Sequence, residues 1–171
     1  MYIIDRMMSE AMKEWSNGDY KESLVLSLLG IAAVSRLHYP QNKEKSDRKA
    51  YEAYLSDKLG EILSRYLGDI PMGQIANCII GGRSLQSILY ETLRCSIVHE
   101  LRFPDEVGLK SPKDMTAPIE VHQDGSVIFS DRLPLALMFV VANDPKVKEL
   151  RISGQMESAH SPQYWLDESS C

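Results

Sequence analysis

Cysteine is scarce in this chain. Its three cysteines, Cys78, Cys95 and Cys171, are odd in number and lack any CxxC-type spacing, a pattern that argues against a disulfide scaffold and suits a reducing cytoplasm. Long apolar runs are missing too: the longest, 133–142, is interrupted by Pro134 and is too short to cross a bilayer as a helix. Asp5 and Arg6 bring charge to the first residues, with no sustained apolar stretch or cleavage signature, so no signal peptide is expected and the predicted location is cytoplasmic. There is no internal repeat and no low-complexity tract. His38, His122 and His160 are scattered rather than set at ligand spacing, and no metal or other cofactor is expected. Gly81-Gly82-Arg83-Ser84 lacks the glycine spacing and the lysine of a phosphate-binding loop, and a loop capping the next helix accounts for it more simply. Asp105, Glu106, Asp114, Glu120, Asp124 and Asp131 are spread too widely to form a cation loop.

What is present describes a folded chain. Hydrophobic residues make up 44% of the 171, charged residues 25%, and the formal net charge is -5, a balance that supports one core and opposes broad, nonspecific attraction to a polyanion. It leaves room for a local basic cleft. Arg36, Lys43, Lys45, Arg48 and Lys49, with Tyr39, Tyr51, Tyr54 and Tyr66 nearby, offer phosphate contacts and base stacking; solvated helix ends and core tyrosines are the plainer account.

Apolar spacing predicts a series of amphipathic helices. Met7, Met8, Ala11, Met12 and Trp15 mark the first, which breaks at Asn17-Gly18-Asp19. The second begins near Tyr20, carries Leu24, Val25, Leu28, Leu29, Ala32 and Ala33, and ends before Pro40. Asp47 is the expected cap of the third, with Tyr51, Tyr54, Leu55, Leu59, Ile62, Leu63, Tyr66 and Leu67 on one face. After an irregular stretch, in which 75–80 suits a brief helix or a buried strand, Ser84 caps a long helix over 84–101. Alternation on either side of Asp124-Gly125 predicts a hairpin of 119–123 and 126–130, and 133–143 returns as a helix with Pro134 in its first turn. The expected architecture is therefore mainly α, a helical bundle with a C-terminal β-hairpin and an additional helix. Residues 1–145 form the domain, and 146–171 a tail or peripheral extension that Tyr164 and Trp165 would anchor.

The long helix carries the best candidates for chemistry, Arg94 and His99. In an α-helix they point about 140° apart and lie roughly 7.5 Å apart along the axis, with His99 swung away from the stripe that contains Ile97. One straight α-helix does not aim both at one atom, so a shared site is easier to build with the same helix of a second copy in a symmetric homodimer.

The string Arg94-Cys-Ser-Ile-Val-His99 resembles the Arg-x4-His form of the Arg-x4-6-His motif of HEPN domains, small helical bundles that include many metal-independent RNA-cleaving toxins and antiviral defence nucleases. Its place on a late helix preceded by amphipathic helices is similar to that family's layout, over roughly 20–101. The resemblance implies a metal-independent endoribonuclease acting on single-stranded RNA, as a homodimer, in a toxin or defence setting where an antitoxin or other protein is a further partner. His99 would exchange a proton with the ribose 2′-hydroxyl or the leaving oxygen, and Arg94 would hold the scissile phosphate. Glu91 and Glu100 are auxiliary candidates that orient or neutralise the basic pair. Cys95, the third, stands where active members commonly carry asparagine, and a thiol is only a weak donor. The alternative is a catalytically inactive HEPN-like module that binds RNA, a nucleotide or a protein; a plain assembly module is a third reading.

Overall fold

The computed structural model describes residues 3–68, 79–95 and 103–152. Helix α1 (Ile3–Asn17) buries Ile4, Met8 and Ala11, spaced to share one face. It stops where the sequence predicts. Gly18 takes φ +88°, its N–H donates to Trp15 O at 3.0 Å, and Asp19 N–H reaches back to Glu14 O at 2.9 Å, the paired bonds by which a left-handed residue closes a helix.

Helix α2 (Tyr20–His38) follows at once, burying Leu24, Leu28, Ile31 and Val34 together with the small residues Ser23, Ser27 and Gly30. Gly30 is the point of closest approach, since a β-carbon there would lie 2.4 Å from Met8 Cε and 3.6 Å from Val141 Cγ1. The absent side chain leaves room for the Met8 thioether.

Between α2 and helix α3 (Asp47–Leu67), Arg36 gathers the connection. Its guanidinium donates to Tyr39 O at 3.0 Å and Glu44 O at 2.6 Å and pairs with the Asp47 carboxylate. The cap of α3 is Ser46, whose Oγ accepts from Lys49 N–H at 3.3 Å, and not Asp47 as the sequence suggested. Asp47 is the first helical residue, and its carboxylate is engaged by Arg36. The expected α3 face is otherwise buried, from Tyr51 and Tyr54 through Leu55, Leu59, Ile62 and Leu63 to Tyr66.

Strands β1 (Ile79–Ile80) and β2 (Arg83–Ser84) form a minimal hairpin over Gly81-Gly82, both at positive φ, the conformation that tight two-residue turns require. Within the ambiguous 75–80 segment, Ile79 and Ile80 are thus strand, with Ile79 exposed and Ile80 buried. Ser84 caps the next helix as expected, accepting from Ser87 N–H at 3.2 Å.

Three further strands form a mixed sheet in the order β3–β5–β4, from β3 (Val107–Lys110), β4 (Ile119–Val121) and β5 (Val127–Ser130). β4 and β5 are the predicted antiparallel hairpin, with Ile119 opposite Phe129. β3 was not foreseen and adds a parallel partner, Val107 opposite Val127. Gly108 leaves room for the Ile128 side chain, since a β-carbon there would lie 2.5 Å from Ile128 Cδ1 and make it turn aside. Tyr66 ties α3 to this sheet: its hydroxyl donates to Pro118 O and accepts from Ser130 N–H at 2.9 Å.

Helix α5 (Arg132–Asn143) is the hub, with Leu133, Ala136, Leu137, Met138, Val140, Val141 and Ala142 buried and α1, α2 and α3 all packed against it. A helix apolar on nearly every side belongs in a core. Trp15 Nε1 fixes its start, donating to Asp131 O at 2.8 Å. A last helix, α6 (Pro145–Ile152), occupies the beginning of the stretch assigned to a tail and buries Val147; the remainder, with Tyr164 and Trp165, lies outside the described residues. The protein is thus mainly helical with a small mixed sheet, and none of its described helices is long and apolar enough to cross a membrane.

One buried group invites a stability test. The Ser130 hydroxyl is enclosed without a hydrogen-bond partner among the described residues, and a buried polar group left unpaired costs stability. Ser130→Ala is expected to raise the unfolding free energy by about 1 kcal/mol, seen as a higher urea midpoint with unchanged slope; a lower midpoint would show that the hydroxyl is satisfied.

Candidate functional site

Helix α4 (Leu85–Ser87) runs directly into a π-helix (Ile88–Cys95). In place of the expected uninterrupted α-helix, the described part of the candidate helix is one α turn followed by i→i+5 bonding. Such stretches are rare and cluster at functional sites. Ile88 and Leu89 hold the π-helix in the core, while Tyr90 and Glu91 sit at its margin.

Glu91 is a meeting point. Its carboxylate accepts from Ser87 Oγ at 3.1 Å, pairs with the Arg48 guanidinium of α3, and faces Arg83 Nη2 of β2 at 3.4 Å. The short Gly81-Gly82 turn is what delivers Arg83 to this point. The Ser87 hydroxyl and then the Arg48 charge hold the Glu91 carboxyl below the ordinary carboxylate range. Arg48 also binds Glu52 at 2.8 Å and lies 5.5 Å over the Tyr90 ring, which meets Tyr51 edge-on at 5.4 Å. The outcome is a ridge of two exposed guanidinium groups and the half-buried Tyr90 ring beside the helix that bears Arg94.

The basic cluster read from the sequence is thereby divided. Arg48 joins the candidate helix, whereas Arg36 is committed to the 39–47 connection. Tyr51, Tyr54 and Tyr66 are core residues with 1% exposure each, so none offers a face for stacking; Tyr39 donates to Asp57.

Arg94 and Cys95 belong to the π-helix. His99 and Glu100 lie outside the described residues, as do Cys78, His160 and Cys171.

A second cluster was not singled out from the sequence. His38, at the end of α2, directs Nε2–H at both oxygens of Asp144, at 2.9 and 3.0 Å. Tyr54 donates to the same carboxylate at 2.9 Å, as does Lys146 N–H at 2.9 Å. Asp144 is fully buried, and its neighbour Pro145 opens α6, so the carboxylate caps that helix while orienting an imidazole that is 27% exposed. Burial first, and the adjacent Asp144 charge second, push the Tyr54 phenol far above its ordinary value. The Asp144-Pro145 dipeptide, at the end of the 1–145 domain drawn from the sequence, was the available signal. The partners at 38 and 54 are 106 and 90 residues away, beyond any local pattern.

A cleft of about 240 Å³ between the end of α3 and the 112–118 segment, lined in part by Tyr66, Met115, Pro118 and Arg132, shares no residue with either cluster. Among the described residues no group of three or more histidine, cysteine, aspartate or glutamate side chains is placed to hold a metal ion.

No curated protein and no solved structure matches the chain. The family model described as Rv1289 matches residues 3–169, nearly the full length, and the chain belongs to the Rv1289 family.

Proposed function

We propose that this protein is a HEPN-like, metal-independent endoribonuclease that acts on single-stranded RNA as a homodimer, in a toxin or defence context. The observation that carries the reading is the guanidinium and aromatic ridge that α3 and β2 build around the π-helix bearing Arg94. A chain with net charge -5 places two guanidinium groups, paired with Glu52 and Glu91, beside the segment that resembles the Arg-x4-His motif, where a polyanion would have to be held.

His99, acting as base, removes the proton of a ribose 2′-hydroxyl. The freed oxygen attacks the adjacent phosphorus, the bond to the 5′-oxygen breaks, and that oxygen takes up a proton. The products are a 2′,3′-cyclic phosphate and a 5′-hydroxyl. Arg94 offsets the charge that builds on the phosphoryl oxygens, and the same helix of the second copy supplies the facing wall.

Purified protein incubated with end-labelled single-stranded RNA in excess chelator is expected to yield cyclic-phosphate ends and to leave DNA of the same sequence intact, since DNA lacks the attacking hydroxyl. Intact RNA over background at high protein concentration, or equal cutting of DNA, overturns the ribonuclease reading. RNA retention without cutting supports the second reading, a binding module without catalysis, which Cys95 in the place of the usual asparagine favours.

A further inference from the structure

Three elements converge on the Glu91 carboxylate: Arg48 from α3, Arg83 from β2 and Ser87 from α4. Glu91 and its three partners are within reach of solvent. The side chains of Arg48, Arg83 and Glu91 are 50%, 45% and 40% exposed. A carboxylate presents two oxygens to a guanidinium in the same planar arrangement as the two free oxygens of a phosphodiester, so the group that fills this seat in the free protein has the shape of the group the ridge would receive. Exposed ion pairs hold weakly and are screened by salt, so the seat exchanges readily. Among the described residues the charged groups facing it are the two arginines together with Glu52 and Glu91; moving Glu91 aside turns this balanced set into a cationic one.

We propose that Arg48 and Arg83 form a phosphodiester subsite for single-stranded RNA beside the Arg94 helix, and that Glu91 occupies it in the free protein as an internal competitor. This rests on the RNA reading above and extends it: the subsite grips the backbone of a nucleotide next to the one cleaved. Tyr90, under the Arg48 guanidinium, is the ring nearest to such a nucleotide. The arginines here are positioning residues. They set how RNA is held, while proton transfer belongs to the motif.

The test is fluorescence anisotropy with a short 2′-O-methyl oligouridylate, which cannot be cut, titrated into the full-length protein at several salt concentrations. Arg48→Ala and Arg83→Ala are each expected to weaken binding severalfold and to reduce the salt dependence of the logarithm of affinity by about 0.7 per lost phosphate contact. Glu91→Gln is expected to tighten binding severalfold. Cleavage of ordinary RNA by the arginine variants should show a raised KM with kcat retained. Wild-type affinity and slope in both arginine variants, or weaker binding by Glu91→Gln, overturns the subsite even if the protein cuts RNA. Conversely, arginine-dependent binding by a protein that never cuts leaves the subsite standing and removes the ribonuclease reading.

Discussion

With alanine at position 99, single-stranded RNA should be cleaved about 100- to 10,000-fold more slowly than by the wild type, the range that a positioned acid or base contributes. His99 is the one side chain of the motif whose ordinary titration falls near neutral pH, so no neighbour in the string can take its place. Arg94→Ala should cause a comparable loss. Arg94→Lys should not restore the rate, because an ammonium cannot present two parallel donors to a phosphoryl group. If the two residues act on one phosphodiester, the double variant will be little worse than either single one. The rates are to be measured on proteins whose circular dichroism matches the wild type, in chelator, and cleavage by His99→Ala at the wild-type rate would remove the catalytic assignment.

Asp144→Ala is expected to be strongly destabilising. The carboxylate is fully buried and receives Nε2–H of His38, the Tyr54 hydroxyl and Lys146 N–H. Truncation strands all three donors at once. A buried donor left without its acceptor costs about 1–3 kcal/mol, and in a domain of this size each kcal/mol moves the melting temperature by about 2–4 °C, so a fall of several degrees should appear in a thermal scan. Asp144→Asn keeps the shape and an acceptor oxygen, and should recover part of the loss. A melting temperature within a degree or two of wild type for Asp144→Ala would show that the cluster contributes nothing to holding α2, α3 and α6 together.

The helices were legible because each carries its own period. Met8 and Ala11, Leu24 and Leu28, and Leu55, Leu59 and Ile62 announce one buried face apiece, and Gly18 and Ser84 announce a stop and a start. The β4–β5 hairpin was legible for a related reason, since its signal lies within a dozen residues on either side of Asp124-Gly125. β3 was not: its partner is non-adjacent and parallel, and Val107-Gly108-Leu109-Lys110 is too short for alternation to speak. The Ser46 cap was missed by one position because serine and aspartate both cap well, and only the competing claim of Arg36 on Asp47 decides between them.

The site divides in the same way. Arg94, Cys95, His99, Glu91 and Glu100 were singled out as candidates from one short string and its family resemblance, and Glu91 does take part in a cluster, with Ser87, Arg48 and Arg83. Those partnerships are set by the Gly81-Gly82 turn and by the packing of α3. The π-helix was illegible because the apolar positions from Leu85 to Leu93 fit an α-helical stripe, and a change from i→i+4 to i→i+5 bonding leaves little trace in composition.

The hub helix α5 is synthesised late. Before that helix is made, α1, α2 and α3 are already able to coil, yet the apolar faces that will pack on α5 have nothing to close upon. A nascent chain at that stage displays a broad greasy face on helices that form quickly, for as long as elongation takes to deliver Leu133 through Val141. Holdase capture during translation, and losses to inclusion bodies when synthesis outruns it, follow from this order of parts.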